Sequence, residues 1–204
     1  MKIDVKFPVT GSVIPKDHGY TLFSAISHLV PFVHGNRSVS ILRISGQTVY
    51  KNYLSVGSNS KVILRLPLED VSRLAPLEGA SLMLNDFPIQ LGTAKIEAFK
   101  PHRHLYSSLV IVKLGERKDR PNLEYPEKLL RFQDVVRHQL RERGIQAEAH
   151  FGQHPNILTV KEGKVMGWPV WLRPESQADS IKIQETGVGV KQRMGCGNFI
   201  HQDA

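Results

Sequence analysis

The 204-residue chain contains one cysteine, Cys196, which excludes an internal disulfide and a thiolate metal cage and fits a reducing cytoplasm. No stretch approaches the roughly 20 apolar residues that span a bilayer, so no membrane partner is expected. The opening Met1-Lys-Ile-Asp-Val-Lys-Phe7 alternates like a strand and lacks the apolar run and cleavage site of a secretory leader. Gly-Lys-Ser/Thr, Gly-x-Gly-x-x-Gly opening a helix, Gly-x-Ser-x-Gly and His-Glu-x-x-His are all missing, as are paired carboxylates at metal spacing. These absences argue against a mononucleotide site and a metal-dependent nuclease; neither cofactor nor metal is expected.

What the chain does have is positive charge, 27 Lys and Arg against 19 Asp and Glu, a formal net charge of +8. Such a balance favours a polyanionic partner, with an unrelated basic enzyme as the alternative. The densest local signal is the tail Gly187-Val-Gly-Val-Lys-Gln-Arg-Met-Gly-Cys-Gly-Asn-Phe199. Its glycines allow positive φ and close backbone approach, so with Lys191 and Arg193 the segment reads as an anion-binding loop between a helix and a short last strand. Ordinary turns also use such glycines.

The apolar pattern predicts a strand at Ile3, Val5 and Phe7, then a helix over Tyr20 to Val33 with Leu22, Ala25, Ile26, Leu29 and Val33 on one face. Strands follow around Val39 to Ile44 and Val62 to Leu66, with a polar turn region between them. A short helix opened by Pro67 and a β pair around Leu82 and Ile89 complete a β-α-β-β-α-β order, the ferredoxin-like one. The second half repeats the pattern, though not the sequence. It has a long strand over about Ala94 to Leu114, a charged linker Gly115 to Pro126, and a helix Glu127 to Arg143 with Leu130, Val135 or Val136 and Leu140 inward. Strands at Ala147 to Phe151, Ile157 to Val160 and Val165 to Leu172, a helix Pro174 to Glu185 and a strand at Phe199-Ile200 follow. The expected architecture is α+β, two tandem ferredoxin-like domains spanning 1–93 and 94–204; a single α+β domain is the alternative.

In the helix Glu127 to Arg143 of the second half, Arg131, Arg137, Arg141 and Arg143 suit phosphate oxygens and a hairpin groove, although such a charge run is also what a solvated face looks like. His102 and His104, two apart, face one side of a strand, but spacing supplies no third metal ligand. His34 falls at the end of the first helix, where the dipole favours an imidazolium suited to proton transfer, or simply to capping. His18 precedes that helix and would lie about 24 Å from His34 along an unbroken one, too far to share a proton-transfer centre. Without a metal-nuclease pattern, a nuclease here would use the substrate's own 2′-hydroxyl, which restricts it to RNA.

Four stretches carry a family resemblance: Asp17-His-Gly-Tyr-Thr-Leu-Phe-Ser-Ala-Ile26, Val30-Pro-Phe-Val-His34, Gly167-Trp-Pro-Val-Trp-Leu172, and Gln184-Glu-Thr followed by the glycine tail. Together they resemble the CRISPR-associated endoribonucleases that cut precursor CRISPR RNA, the sixth Cas family of the RAMP superfamily, in its compact branch ending Met-Gly-Cys-Gly-x-Phe. The resemblance implies two ferredoxin-like folds that bind CRISPR repeat RNA, often as a stem-loop, and cleave it without metal to a 2′,3′-cyclic phosphate and a 5′-hydroxyl. It also implies delivery of crRNA to a Cascade-like effector complex. It places the proton-transfer role on His34, with Tyr20 as a helper and His18 as a motif member without a settled role. No motif places a catalytic cation; Arg37 lies three residues from His34. Gly187, Gly189, Lys191, Arg193, Gly195 and Gly197 are expected to clamp the RNA backbone. The other readings are a non-catalytic RNA-binding subunit and a duplex-DNA binder.

Overall fold

The structure is a computed structural model that describes residues 1–114 and 124–201. Most of the expected charged linker, residues 115–123, lies outside the described residues. In chain order the elements begin with β1 (Lys2–Gly11), β2 (Val13–Pro15), α1 (Gly19–Leu29), α2 (Phe32–Gly35), β3 (Ser40–Ile41), β4 (Gln47–Tyr50), β5 (Tyr53–Ser55) and β6 (Lys61–Pro67). After a 3-10 helix at Leu68–Leu77 come β7 (Ser81–Leu84), β8 (Phe87–Leu91), β9 (Lys95–Glu97), β10 (Leu105–Val110) and α3 (Tyr125–Glu142). Then follow β11 (Ala147–Phe151), β12 (Asn156–Val160), β13 (Gly163–Pro174), α4 (Gln177–Thr186) and β14 (Ile200–His201).

Two compact units emerge, one of Met1–Phe99 with Leu158–Gly163 and Gln192–Gly195, the other of Lys100–Ile157, Lys164–Lys191 and Cys196–Ala204. The first unit's main sheet runs β3-β6-β1-β8-β7, with β9 also paired to β1, and the second unit's runs β11-β13-β10-β14. In each the unit's first strand pairs antiparallel with its third and last, as the ferredoxin-like order requires. The alternation read at Ile3, Val5 and Phe7 buries all three against Val62, Leu64 and Leu66 of β6. Below this sheet Arg65, 1% exposed, meets Asp4 through two hydrogen bonds of 2.8 and 3.1 Å.

The departures have local causes. The first helix stops at Leu29 because Val30 precedes Pro31 and leaves helical geometry (φ −129°, ψ 77°), and the chain then makes a separate four-residue turn, α2. Leu29 is consequently exposed and Phe23 buried. The segment around Pro67 is a 3-10 helix containing Pro76. The strand expected over 94–114 is two: β9 joins β1 and β10 joins β13, with irregular chain through Pro101 between them. The polar region after Ile44 holds β4 and β5, which form a small sheet with β2; β4 is exposed throughout and so carries no alternation to read. In α3 the buried side chains are Leu129, Phe132, Val136 and Leu140, while Leu130, expected inward, is 61% exposed.

Candidate active site and nucleic-acid interface

In the first unit, His34 ends the α2 turn and is exposed. The turn is held by bonds from the Val33 N–H to the Val30 carbonyl (3.1 Å) and from the His34 N–H to the Pro31 carbonyl (3.0 Å). Because the chain leaves α1 at Val30, it folds the imidazole back onto Phe23, with ring centroids 5.7 Å apart and planes 25° from parallel. The Arg193 guanidinium lies 5.6 Å from the other partner of that stack, the Phe23 ring, and its Nη1 donates to the Val33 carbonyl at 3.1 Å. An exposed imidazole and an anchored guanidinium thus both approach the Phe23 ring. The dipole acting at His34 is that of one turn rather than of the long helix, Tyr20 to Val33, expected from sequence. Arg37 is exposed nearby in sequence.

Tyr20 lies on a different feature, a depression of about 430 Å³ between α1 and β7 that it lines with Ser24, His28, Ser81 and Met83. Among the described residues no recorded hydrogen bond or ring contact joins Tyr20 to His34. Its neighbours in the Asp17-His-Gly motif belong to the framework. His18 is 1% exposed; its Nδ1 lies 2.8 Å from the Pro15 carbonyl and its Nε2 accepts the Ile44 N–H at 2.9 Å. Burial, reinforced by the Arg43 charge, lowers its pKa to about 4. Both ring nitrogens of His18 are thus engaged within the protein. Asp17 accepts the Thr159 N–H at 2.8 Å, and a Cβ on Gly19 would come within 2.2 Å of the Met194 carbonyl oxygen.

In the glycine tail the backbone donors of the glycines are engaged within the protein. All four glycine N–H groups have protein acceptors: Gly187 the Ile183 carbonyl at 2.8 Å, Gly189 the Gln139 Oε1 at 2.9 Å, Gly195 the Gln192 carbonyl at 3.2 Å, and Gly197 the Leu109 carbonyl at 2.7 Å. Gly189 (φ 81°) and Gly197 (φ 65°) combine left-handed backbone with contact: a Cβ would lie 2.2 Å from the Ile111 oxygen at the first and 1.8 Å from the Val188 oxygen at the second. Gly195 to Phe199 are buried, Cys196 included. At Gly189 and Gly197 close backbone packing requires glycine.

In the second unit the four arginines of α3 separate into two groups. Arg131 and Arg141 are exposed, and Arg137, also exposed, stacks its guanidinium 5.0 Å from the Phe151 ring and lies 3.7 Å from Asp134. Arg143 is partly buried and its Nη1 donates to the Gly187 carbonyl, tying the end of α3 to the start of the tail. Three cations therefore face solvent and the fourth is bonded to the tail. Among the described residues no group of three His, Cys, Asp or Glu side chains gathers as a metal site, and no helix is long and apolar enough to cross a membrane.

Sequence reasoning missed Phe23 as the ring against which His34 stacks and Arg193 as a cation that approaches the same ring. The Val30-Pro31 step carried the signal for the first, since a helix that ends there brings His34 back onto its last turns. Nothing local signals the second, because Arg193 reaches Val33 only through tertiary folding.

A family model described as Cas6 Crispr matches residues 3–203. Over 198 residues, 97% of this chain and 80% of the relative, the sequence is 30% identical to a CRISPR-associated endonuclease Cas6 of Myxococcus xanthus (strain DK1622). Two solved structures align over 98% of both chains with a TM-score of 0.65: an RAMP protein binding different RNA substrates, 17% identical, and the product of a Cas6-related gene from Pyrococcus furiosus, 14% identical. At those identities the structural likeness bears on the fold.

Proposed function

The chain belongs to the Cas6 family of CRISPR proteins, and from that premise we propose that it is an endoribonuclease that binds CRISPR repeat RNA and cuts precursor CRISPR RNA at His34. The observation that carries the assignment to this residue is an exposed imidazole stacked on Phe23, a ring that the anchored Arg193 guanidinium also approaches. In the proposed step the substrate's 2′-oxygen attacks the adjacent phosphorus and the bond from phosphorus to the 5′-oxygen breaks. One proton leaves the 2′-hydroxyl and one arrives on the departing 5′-oxygen, giving a 2′,3′-cyclic phosphate and a 5′-hydroxyl. His34 handles one of these transfers. Arg193 stabilises the charge that builds on the phosphoryl oxygens, from a position set by the Val33 carbonyl before substrate arrives.

This chemistry takes its nucleophile from the RNA and its proton carrier from the protein, so it proceeds without a metal. His18 sets the frame around Ile44 and Pro15, and Tyr20, opening onto its own depression, contacts RNA rather than the reacting phosphate. The outward cations of α3, with Lys191, contact the RNA backbone; the tail glycines hold these side chains in place. The product crRNA and a Cascade-like effector complex are the partners this reading implies, in the cytoplasm.

Single-turnover cleavage of a repeat RNA is the test. General acid–base assistance contributes about 10²- to 10⁴-fold, so His34→Ala slows cleavage by that factor while RNA affinity stays the same. Cleavage persists in EDTA and disappears when the nucleotide 5′ of the cut is 2′-deoxy. A wild-type rate for His34→Ala removes His34 from the mechanism, and loss of cleavage in EDTA removes the metal-free step.

A further inference from the structure

The outer face of the second unit's sheet carries a set of side chains that the proposed cleavage leaves unused. Along β13, Trp168, Val170 and Leu172 are buried, whereas Trp171 is 39% exposed and Arg173 is exposed too. The antiparallel register puts Trp171 opposite both Tyr106 on β10 and His150 on β11, and Tyr106 opposite Ile200 on β14. His150, Trp171, Tyr106 and Ile200 therefore form one row across four strands, about 14 Å long at the usual strand spacing. At its centre the Tyr106 and Trp171 rings lie 4.9 Å apart, tilted by 34°. Ile200 is 38% exposed at one end, and His150 is exposed at the other.

Cations border the row. Arg173, two residues from Trp171 on the same face of β13, lines a depression of about 440 Å³ together with Arg103 and His102. Glu148 lies 3.9 Å from Arg173 and 3.0 Å from His150, so it offsets part of that charge, while Arg103 is exposed at the same depression. Aromatic rings on an open sheet with arginines at the border have the chemistry that takes up single-stranded nucleic acid: bases stack on the rings and phosphates meet the guanidinium groups. Double-stranded RNA hides its base faces and offers such a surface only phosphates and 2′-hydroxyls.

We infer that this sheet face is a stacking platform for two or three unpaired nucleotides of the RNA, separate from the phosphate-tracking face of α3. The inference rests on the endoribonuclease reading for the identity of the RNA and adds the part of that RNA which is read as bases. It predicts that an unpaired flank beside the repeat stem strengthens binding through Trp171 and Tyr106.

The test measures dissociation constants for a uridine oligonucleotide of about 12 nucleotides and for a repeat stem-loop trimmed of its flanks. Trp171→Ala and Tyr106→Ala each weaken the oligonucleotide about 5- to 150-fold, the range for loss of one stacked base, and leave the trimmed stem-loop unchanged. Trp171→Phe keeps a ring and most of the affinity, which guards against a fold defect. In the wild type the oligonucleotide quenches the fluorescence of exposed Trp171, and in Trp171→Phe, where buried Trp168 is the remaining indole, it does not. Wild-type affinity of Trp171→Ala for the oligonucleotide, or an equal loss for both RNAs, overturns the platform. If the wild type binds the stem-loop in that case, the endoribonuclease reading stands without the platform; if it binds neither RNA, both readings fall.

Discussion

The turn that carries His34 and the tail from Gly187 to Phe199 answer to opposite constraints. The tail is dense in sequence signal and closed in space: its glycine N–H groups are bonded to protein, and two of its glycines sit where a Cβ would overlap a carbonyl oxygen. The α2 turn has four residues, no distinctive composition and an exposed imidazole. A backbone packed against backbone dictates residue type sharply, since only glycine fits. An exposed imidazole stacked on a ring makes no such demand on residue type, and the guanidinium that approaches the same ring comes from a distant part of the chain. The more legible motif is therefore the closely packed one, and the exposed imidazole stands on the less legible one.

The largest test of that contrast is Gly197→Ala. Its Cβ would lie 1.8 Å from the Val188 oxygen at a φ of 65°, so the backbone has to move, and we expect a loss of about 3 kcal/mol or more in chemical denaturation. At a temperature where the variant stays folded, its RNA affinity remains near wild type. An anion cradle predicts the reverse, affinity lost at unchanged stability, and that outcome would erase the distinction between tail and turn.

His18 sharpens the same contrast by pH. Its folded pKa of about 4 lies below the unfolded value of 6.5, so between these values the unfolded chain binds a proton that the native ring refuses. Stability is full above pH 6.5 and declines as pH falls, by about 2 kcal/mol at pH 5 and about 3 kcal/mol at pH 4 from this residue. Denaturation curves at pH 7.5 and 5 give the slope, and an NMR titration gives the site. A His18 resonance moving with a midpoint near 6.5 contradicts the buried, doubly bonded ring.

The fold was legible where burial alternates. Ile3, Val5 and Phe7 gave β1, and the repeated β-α-β-β-α-β order gave both sheets, because one-sided burial writes itself into the sequence with a period of two. The β4 strand escaped because all four of its residues are exposed. In α3 an adjacent pair, Leu129 and Leu130, offered two phases for one apolar stripe, and the core took Leu129. The site was half legible for a related reason. His34 stood out by its motif, but the sense of its surroundings depended on Pro31 ending the helix, and on a guanidinium from residue 193 that no local pattern connects to Val33.

The smallest effects lie within α3, where the contrast between framework and site recurs on one helix. Arg131 and Arg141 face solvent, so replacing either with alanine leaves stability within about 0.5 kcal/mol. If each neutralises one phosphate, each variant also lowers the slope of log affinity against log salt by about 1. Arg143→Ala does the opposite: it frees the Gly187 carbonyl and costs about 1–3 kcal/mol of stability, with the salt slope retained. Equal salt slopes for wild type, Arg131→Ala and Arg141→Ala would move the RNA off this helix. A changed slope in Arg143→Ala would mean that its bond to the tail opens when RNA binds, making the tail a part of the interface after all.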